Sequence, residues 1–152
     1  MSLKVLHPGI SNSLYVLDKT GFTKTNDPAV AGEKAPYGVL GGSVAALATE
    51  GEYVAVAGNG QNFALGLFKN NAEGAPYDNS PAEASGKVAI VQDSAAIEID
   101  IYSHDVTFAL GDALYSDANG YLTNVESANK QIIGYVTKLP TAKNPFMGVQ
   151  LV

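Results

Sequence analysis

The sequence predicts an all-β fold: a small antiparallel barrel or sandwich with an extended N-terminal arm, long loops and at most one short helix. Three stretches carry that expectation. Phe108 to Lys138 reads as strand, tight turn, strand, loop, strand. Gly42 to Lys69 follows the same grammar. Lys87 to Tyr102 alternates apolar and polar residues with a period of two, the signature of strands with one face in a core and one in water.

In the first stretch, Leu114-Tyr115-Ser116 alternates in character and Asn119-Gly120 follows. That dipeptide is the strongest short-range hairpin signal, because both central residues of a type I′ turn need positive φ. Tyr121-Leu122-Thr123 then returns antiparallel. After a polar connection from Glu126 to Gln131, Ile132-Ile133-Gly134-Tyr135-Val136 is rich in β-branched and aromatic residues, as a buried strand should be.

The second stretch superposes on the first. Laying Gly42 on Gly111 brings Gly51 onto Gly120, each nine positions further on. With one residue of slack in the loop, Leu65-Gly66-Leu67-Phe68 falls on Ile133-Gly134-Tyr135-Val136. An internal duplication and two unrelated hairpins with common turn chemistry both account for the match. Val44-Ala45-Ala46-Leu47-Ala48 is alanine-rich, but glycines bracket a piece too short for a stable helix, so a strand is expected.

In the third stretch Val88 and Ile90, then Ile97, Ile99 and Ile101, share one face, with Glu98, Asp100 and Tyr102 on the other. Asp93-Ser94 is expected to turn a hairpin between them.

The rest of the chain is less patterned. Met1 to Ser13, broken by Pro8-Gly9, suits an extended arm or an edge strand better than a helix. Leu14 to Leu17 is a short strand candidate. Asp18 to Tyr37 is rich in Thr, Gly, Asn, Asp and Pro and is expected to be irregular, ordered over a partner's surface or loose without one. Asn70 to Gly86 reads as a polar surface loop. Phe146 to Val152 is a last strand tied into the sheet. The expected organisation is an arm and irregular segment over 1–37, followed by a single β-domain over 38–152.

Composition narrows the function classes. At 152 residues the chain suits one domain, and 46% hydrophobic against 16% charged residues argues against wholesale disorder. With no cysteine, disulfides and thiolate chemistry are excluded. Nine lysines, no arginine and a net charge of −6 fit nucleic-acid binding poorly, since the bidentate guanidinium fork is missing. No apolar run approaches the ~20 residues of a membrane span. The N-terminus lacks the apolar core of a secretory signal, so the expectation is a soluble chain made in a cytoplasm, with no membrane partner.

Catalytic and metal candidates are weak. Asp117-Ala118-Asn119-Gly120 resembles the opening of a calcium loop, but the third oxygen position before the glycine and the closing bidentate glutamate are missing, and a hairpin turn explains it. His7 and His104 are the only histidines, and no Gly-x-Ser-x-Gly elbow accompanies them. His104, beside Asp105, is expected in a turn. Glu98 and Asp100 share a strand face and offer a carboxylate pair to a small hydrolase, although a solvated face accounts for them equally. Gly58-Asn59-Gly60 lacks the lysine and serine of a phosphate loop. Eight tyrosines, among them Tyr37 and Tyr77, suit either a sugar platform or a protein interface. No enzyme activity, cofactor or metal is expected.

Phe108 to Val152, with GDALYSDANGYLTN, IIGYVTK and the closing MGVQLV, resembles the small β-rich decoration, or cement, proteins of tailed-bacteriophage heads. Gly66-Leu67-Phe68 and the Pro-containing loop after it are similar to phage virion structural proteins. The resemblance implies a non-enzymatic protein on the virion surface, made in the host cytoplasm, that binds the major capsid protein and bridges capsomers. It also implies a homo-oligomer, a trimer before a dimer. The alternative is a carbohydrate-binding module of a phage tail or fibre. Sequence character places the capsid contact in the arm, at Leu3, Val5, Leu6, His7 and Pro8. Deleting Met1 to Gly9 is then expected to leave the β-domain folded while weakening capsid binding.

Overall fold

The computed structural model describes residues 3–7, 10–12, 15–17, 24–26, 34–37, 39–69 and 88–152. Fourteen strands and no helix lie among them. One six-stranded sheet runs in the order β2 (Ile10–Asn12), β9 (Ile90–Gln92), β8 (Ala64–Phe68), β6 (Val44–Leu47), β7 (Val54–Ala57), β3 (Val16–Leu17). The other runs β1 (Leu3–His7), β10 (Ala96–Ile99), β14 (Met147–Leu151), β13 (Gly134–Lys138), β11 (Ala113–Ser116), β12 (Leu122–Thr123). Neighbouring strands are antiparallel except β3, which lies parallel to β7. The all-β expectation holds, as two antiparallel sheets consistent with a sandwich and not closed into a barrel.

The sheets cannot be flat. In the first, β2 and β3 are the two outermost strands, about 24 Å apart across five strand spacings in a flat sheet. Yet the four residue steps from Asn12 to Val16 reach only about 14 Å. The second sheet obeys the same constraint: Tyr102 bridges Leu122 in parallel beyond β12 and follows Ile99 of β10 by three residues. Each sheet must therefore curl towards its own far edge.

A four-strand unit occurs once in each sheet. In the first, Val44 pairs with Leu67 and Leu67 with Val91, while Ala45 pairs with Gly66 and Phe68 with Ile90. In the second, Ala113 pairs with Tyr135 and Tyr135 with Gln150, while Leu114 pairs with Gly134 and Val136 with Val149. The order β9-β8-β6-β7 repeats as β14-β13-β11-β12. Connecting hydrogen bonds recur as well. Gly42 N donates to Phe68 O at 2.7 Å, and Gly111 N to Val136 O at 2.8 Å. Phe68 N donates to Ser43 O at 2.9 Å, and Val136 N to Asp112 O at 3.0 Å. Of the glycines superposed from sequence, Gly42 and Gly111 both have positive φ, but the ladders set Gly120 against Tyr53 and not Gly51. Leu47 pairs with Ala55 as Ser116 pairs with Leu122, so the loop of the first hairpin is two residues longer. Turn chemistry alone gives two similar hairpins, but it does not give a matched four-strand order and register. The duplication reading accounts for both.

Equivalent residues line two separate hydrophobic clusters. Ala45, Ala55, Phe68, Val88 and Ile90 fill one with Leu17 and Val39. Leu114, Leu122, Val136, Met147 and Val149 fill the other with Leu3, Ile97, Ile99 and Ile101. The second cluster also takes in Val44, Leu67 and Val91, from the opposite face of the first sheet. That shared packing joins the units.

Several expectations are corrected. Asp93-Ser94 does not turn a hairpin: β9 pairs with β2 and β8, and β10 with β1 and β14, so the chain crosses from one sheet to the other there. The alternation was local and correct; the choice of partner is not a local property. Asn119-Gly120 does not form a type I′ turn, because Asn119 keeps a negative φ. Gly120 N donates to Asp117 O, Asp117 N donates to Tyr121 O, and Gly120 alone has positive φ, at 81°, which is a type I turn followed by a bulge. The irregular segment 18–37 contains a hairpin of β4 (Lys24–Asn26) and β5 (Lys34–Tyr37). The arm is no arm over Leu3–His7: these residues are an edge strand antiparallel to β10. The loop 70–86 lies outside the described residues.

Candidate functional site

The outer face of the second sheet collects most of the chemistry. Lys4, Glu98, Gly148 and Lys138 follow one another across β1, β10, β14 and β13. Gly148 has no side chain, and a Cβ there would stand 2.7 Å from Lys138 Cβ and 2.9 Å from Thr137 Oγ1. Lys138 therefore reaches over β14, and its Nζ donates to Glu98 Oε1 at 2.8 Å. Lys4 Nζ lies 4.0 Å from Glu98 Oε2 and 4.6 Å from the centre of the Phe146 ring.

This setting decides the role of Glu98. The hydrogen bond from Lys138, with the charges of Lys138 and Lys4, holds its carboxyl below the ordinary value against the opposing effect of burial. A general acid needs the reverse shift, so Glu98 is not poised as one; the geometry holds it as the ion-pair partner of Lys138 and Lys4. Because its pKa is lower folded than unfolded, it stabilises the fold above the unfolded pKa, and that contribution fades as pH falls through the folded value. Glu98→Gln is expected to lower the urea midpoint at neutral pH, with the gap to wild type closing in strong acid. A gap independent of pH would assign the loss to packing instead of charge.

The other candidates do not converge. His104 is exposed in a turn and stacks on the buried Tyr102 ring at 4.5 Å. Tyr102 donates to Pro145 O at 2.7 Å and is packed edge-on by Phe108. Asp117 holds its turn: its Oδ1 accepts from Asn119 N at 2.8 Å and Tyr121 N at 2.9 Å. Burial pushes its carboxyl up, with these donors opposing. No group of three His, Cys, Asp or Glu that could hold a metal occurs among the described residues. Tyr15 and Tyr53 meet edge-on at 74°, which is not a flat stacking platform. Tyr77 lies outside the described residues.

Of the arm residues, Leu3 is buried in the larger cluster, whereas Leu6 is 63% exposed. Val5 and His7 belong to the same edge strand, and Pro8 lies outside the described residues. Sequence reading missed the row Ala113, Tyr135, Gln150 on the outer face. Its signal was present in the repeat, since the aligned row in the first unit is Val44, Leu67, Val91. No family model matches the chain, and a search of curated proteins likewise finds no match.

Proposed function

We propose that the protein is a non-enzymatic structural component of a bacteriophage virion that binds the outside of the assembled head and bridges capsomers. The observation that carries this reading is β1. It is the outermost strand of its sheet and carries a large apolar side chain, Leu6, turned to solvent. An edge strand gives a partner backbone donors and acceptors without demanding particular side chains. Repeated over a symmetric shell, many weak contacts of this kind add up to a large avidity. The resemblance of the last third of the chain to head decoration proteins points the same way.

The test is cosedimentation with expanded phage heads that lack the protein. Wild type is expected to bind at saturable stoichiometry, and Leu6→Asp to bind at least about tenfold more weakly at unchanged melting temperature. Absence of binding, together with specific retention on a glycan array, would transfer the protein to the carbohydrate-binding class.

A further inference from the structure

The two units meet through different faces. The first buries its row Val44, Leu67, Val91 completely. Tyr121, Ile133 and Leu151 of the second unit share a cluster with that row, and Gly120 O accepts from Val44 N at 2.8 Å. Gln131 adds a clamp, its side-chain amide exchanging bonds of 2.7 and 2.9 Å with the backbone of Ala64. The contact therefore runs from the sheet face of one unit to the turn and loop of the next.

Both surfaces exist a second time, in the opposite units, without that cover. The row equivalent to Val44, Leu67, Val91 is Ala113, Tyr135, Gln150, with Tyr135 39% exposed. The residue equivalent to Gly120 is Tyr53, which also has positive φ and precedes the returning strand. Phe63 stands three residues before Gly66, as Gln131 stands before Gly134. Tyr53 and Phe63 are 54% and 62% exposed.

We propose that these two surfaces bind each other between copies of the chain: the Tyr135 row of one copy receives Tyr53 and Phe63 of the next. The internal contact between the units is the template. The charges also fit, since exposed Glu50 and Glu52 flank the inserting turn. Lys4 and Lys138 share Glu98 between them, which leaves the border of the receiving face with one positive charge in excess. Tyrosine and phenylalanine are the side chains that anchor protein interfaces. A contact between two different patches is heterologous, and it closes into a ring or continues as a filament. The inference does not depend on head binding.

Sedimentation velocity over a concentration series tests it. Wild type is expected to associate reversibly, and Tyr135→Glu or Phe63→Asp to weaken association by more than about a hundredfold. Mixing the two variants is the decisive arm. Each retains one intact surface, so the mixture is expected to form a dimer and nothing larger. If either substitution abolishes the cooperative melt, Gln150→Glu and Tyr53→Ser replace it on the same two surfaces. A wild type that stays monomeric overturns the proposal, and if that monomer still binds heads, the proposed function survives without it. Association that the variants leave intact, or that their mixture fails to restore, also overturns it.

Discussion

Gly66→Ala is expected to destabilise the protein by about 4 kcal/mol, at the upper end of what single substitutions do. A Cβ at Gly66 would lie 2.1 Å from Val91 O and 3.1 Å from Ile90 Cγ2. The first of these is a backbone atom of the neighbouring strand, so β8 and β9 must separate to admit it. Gly66 also has a φ of 151°, which L-residues rarely adopt. Gly111 is the control, with a φ of 83° but nothing within 4 Å of its would-be Cβ. Gly111→Ala therefore carries only the left-handed backbone cost, about 1 kcal/mol. For a domain of this size, 4 kcal/mol corresponds to a fall of about 8–16 °C in melting temperature. Equal melting shifts for the two variants would mean that the crowding at Gly66 relaxes and that φ alone sets its cost.

Gly66 also shows what the sequence disclosed. The alignment of Leu65-Gly66-Leu67-Phe68 with Ile133-Gly134-Tyr135-Val136 is the alignment the ladders adopt, because each glycine sits where the next strand leaves no room for a side chain. At Gly134 that neighbour is Gln150 O, 2.6 Å from a Cβ. Strand identity was legible for the same kind of reason: alternation in Ile97-Glu98-Ile99 and the brackets around Val44–Leu47 are local constraints. Partnership was not legible. Asp93-Ser94 has the composition of a hairpin turn, yet the strands on either side join different sheets, because each is claimed by non-local neighbours with apolar rows to cover. The Asn119-Gly120 turn failed differently. Asn-Gly suits type I′, but Asp117 accepts two backbone N–H groups at once and holds a type I turn with Gly120 as the bulge. The outer row around Tyr135 was hidden because its importance is relational: it stands out only beside the buried row it duplicates.

Removing residues 1–9 is expected to lower the melting temperature by about 10 °C, contrary to what a detachable arm implies. Leu3 and Lys4 pair with Ile99 and Glu98, so deletion strips one whole side of β10. The Leu3 side chain is buried against the larger cluster, and losing a buried leucine costs about 2–5 kcal/mol. Lys4 contributes less, because its pairing with Glu98 is half in solvent. Part of the loss is offset, since a short edge strand gives back backbone entropy when it is gone. The net cost is about 3 kcal/mol, and the freed edge of β10 becomes a template for aggregation. Leu6→Ser separates the two roles of the strand: with an exposed side chain it is expected to change stability by less than about 0.5 kcal/mol. Thermal melts of the deleted and full-length chains, followed by circular dichroism, decide the matter. An unchanged midpoint would mean that β10 needs no strand beside it and that Leu3 adds nothing to the core, returning residues 1–9 to the role of an arm.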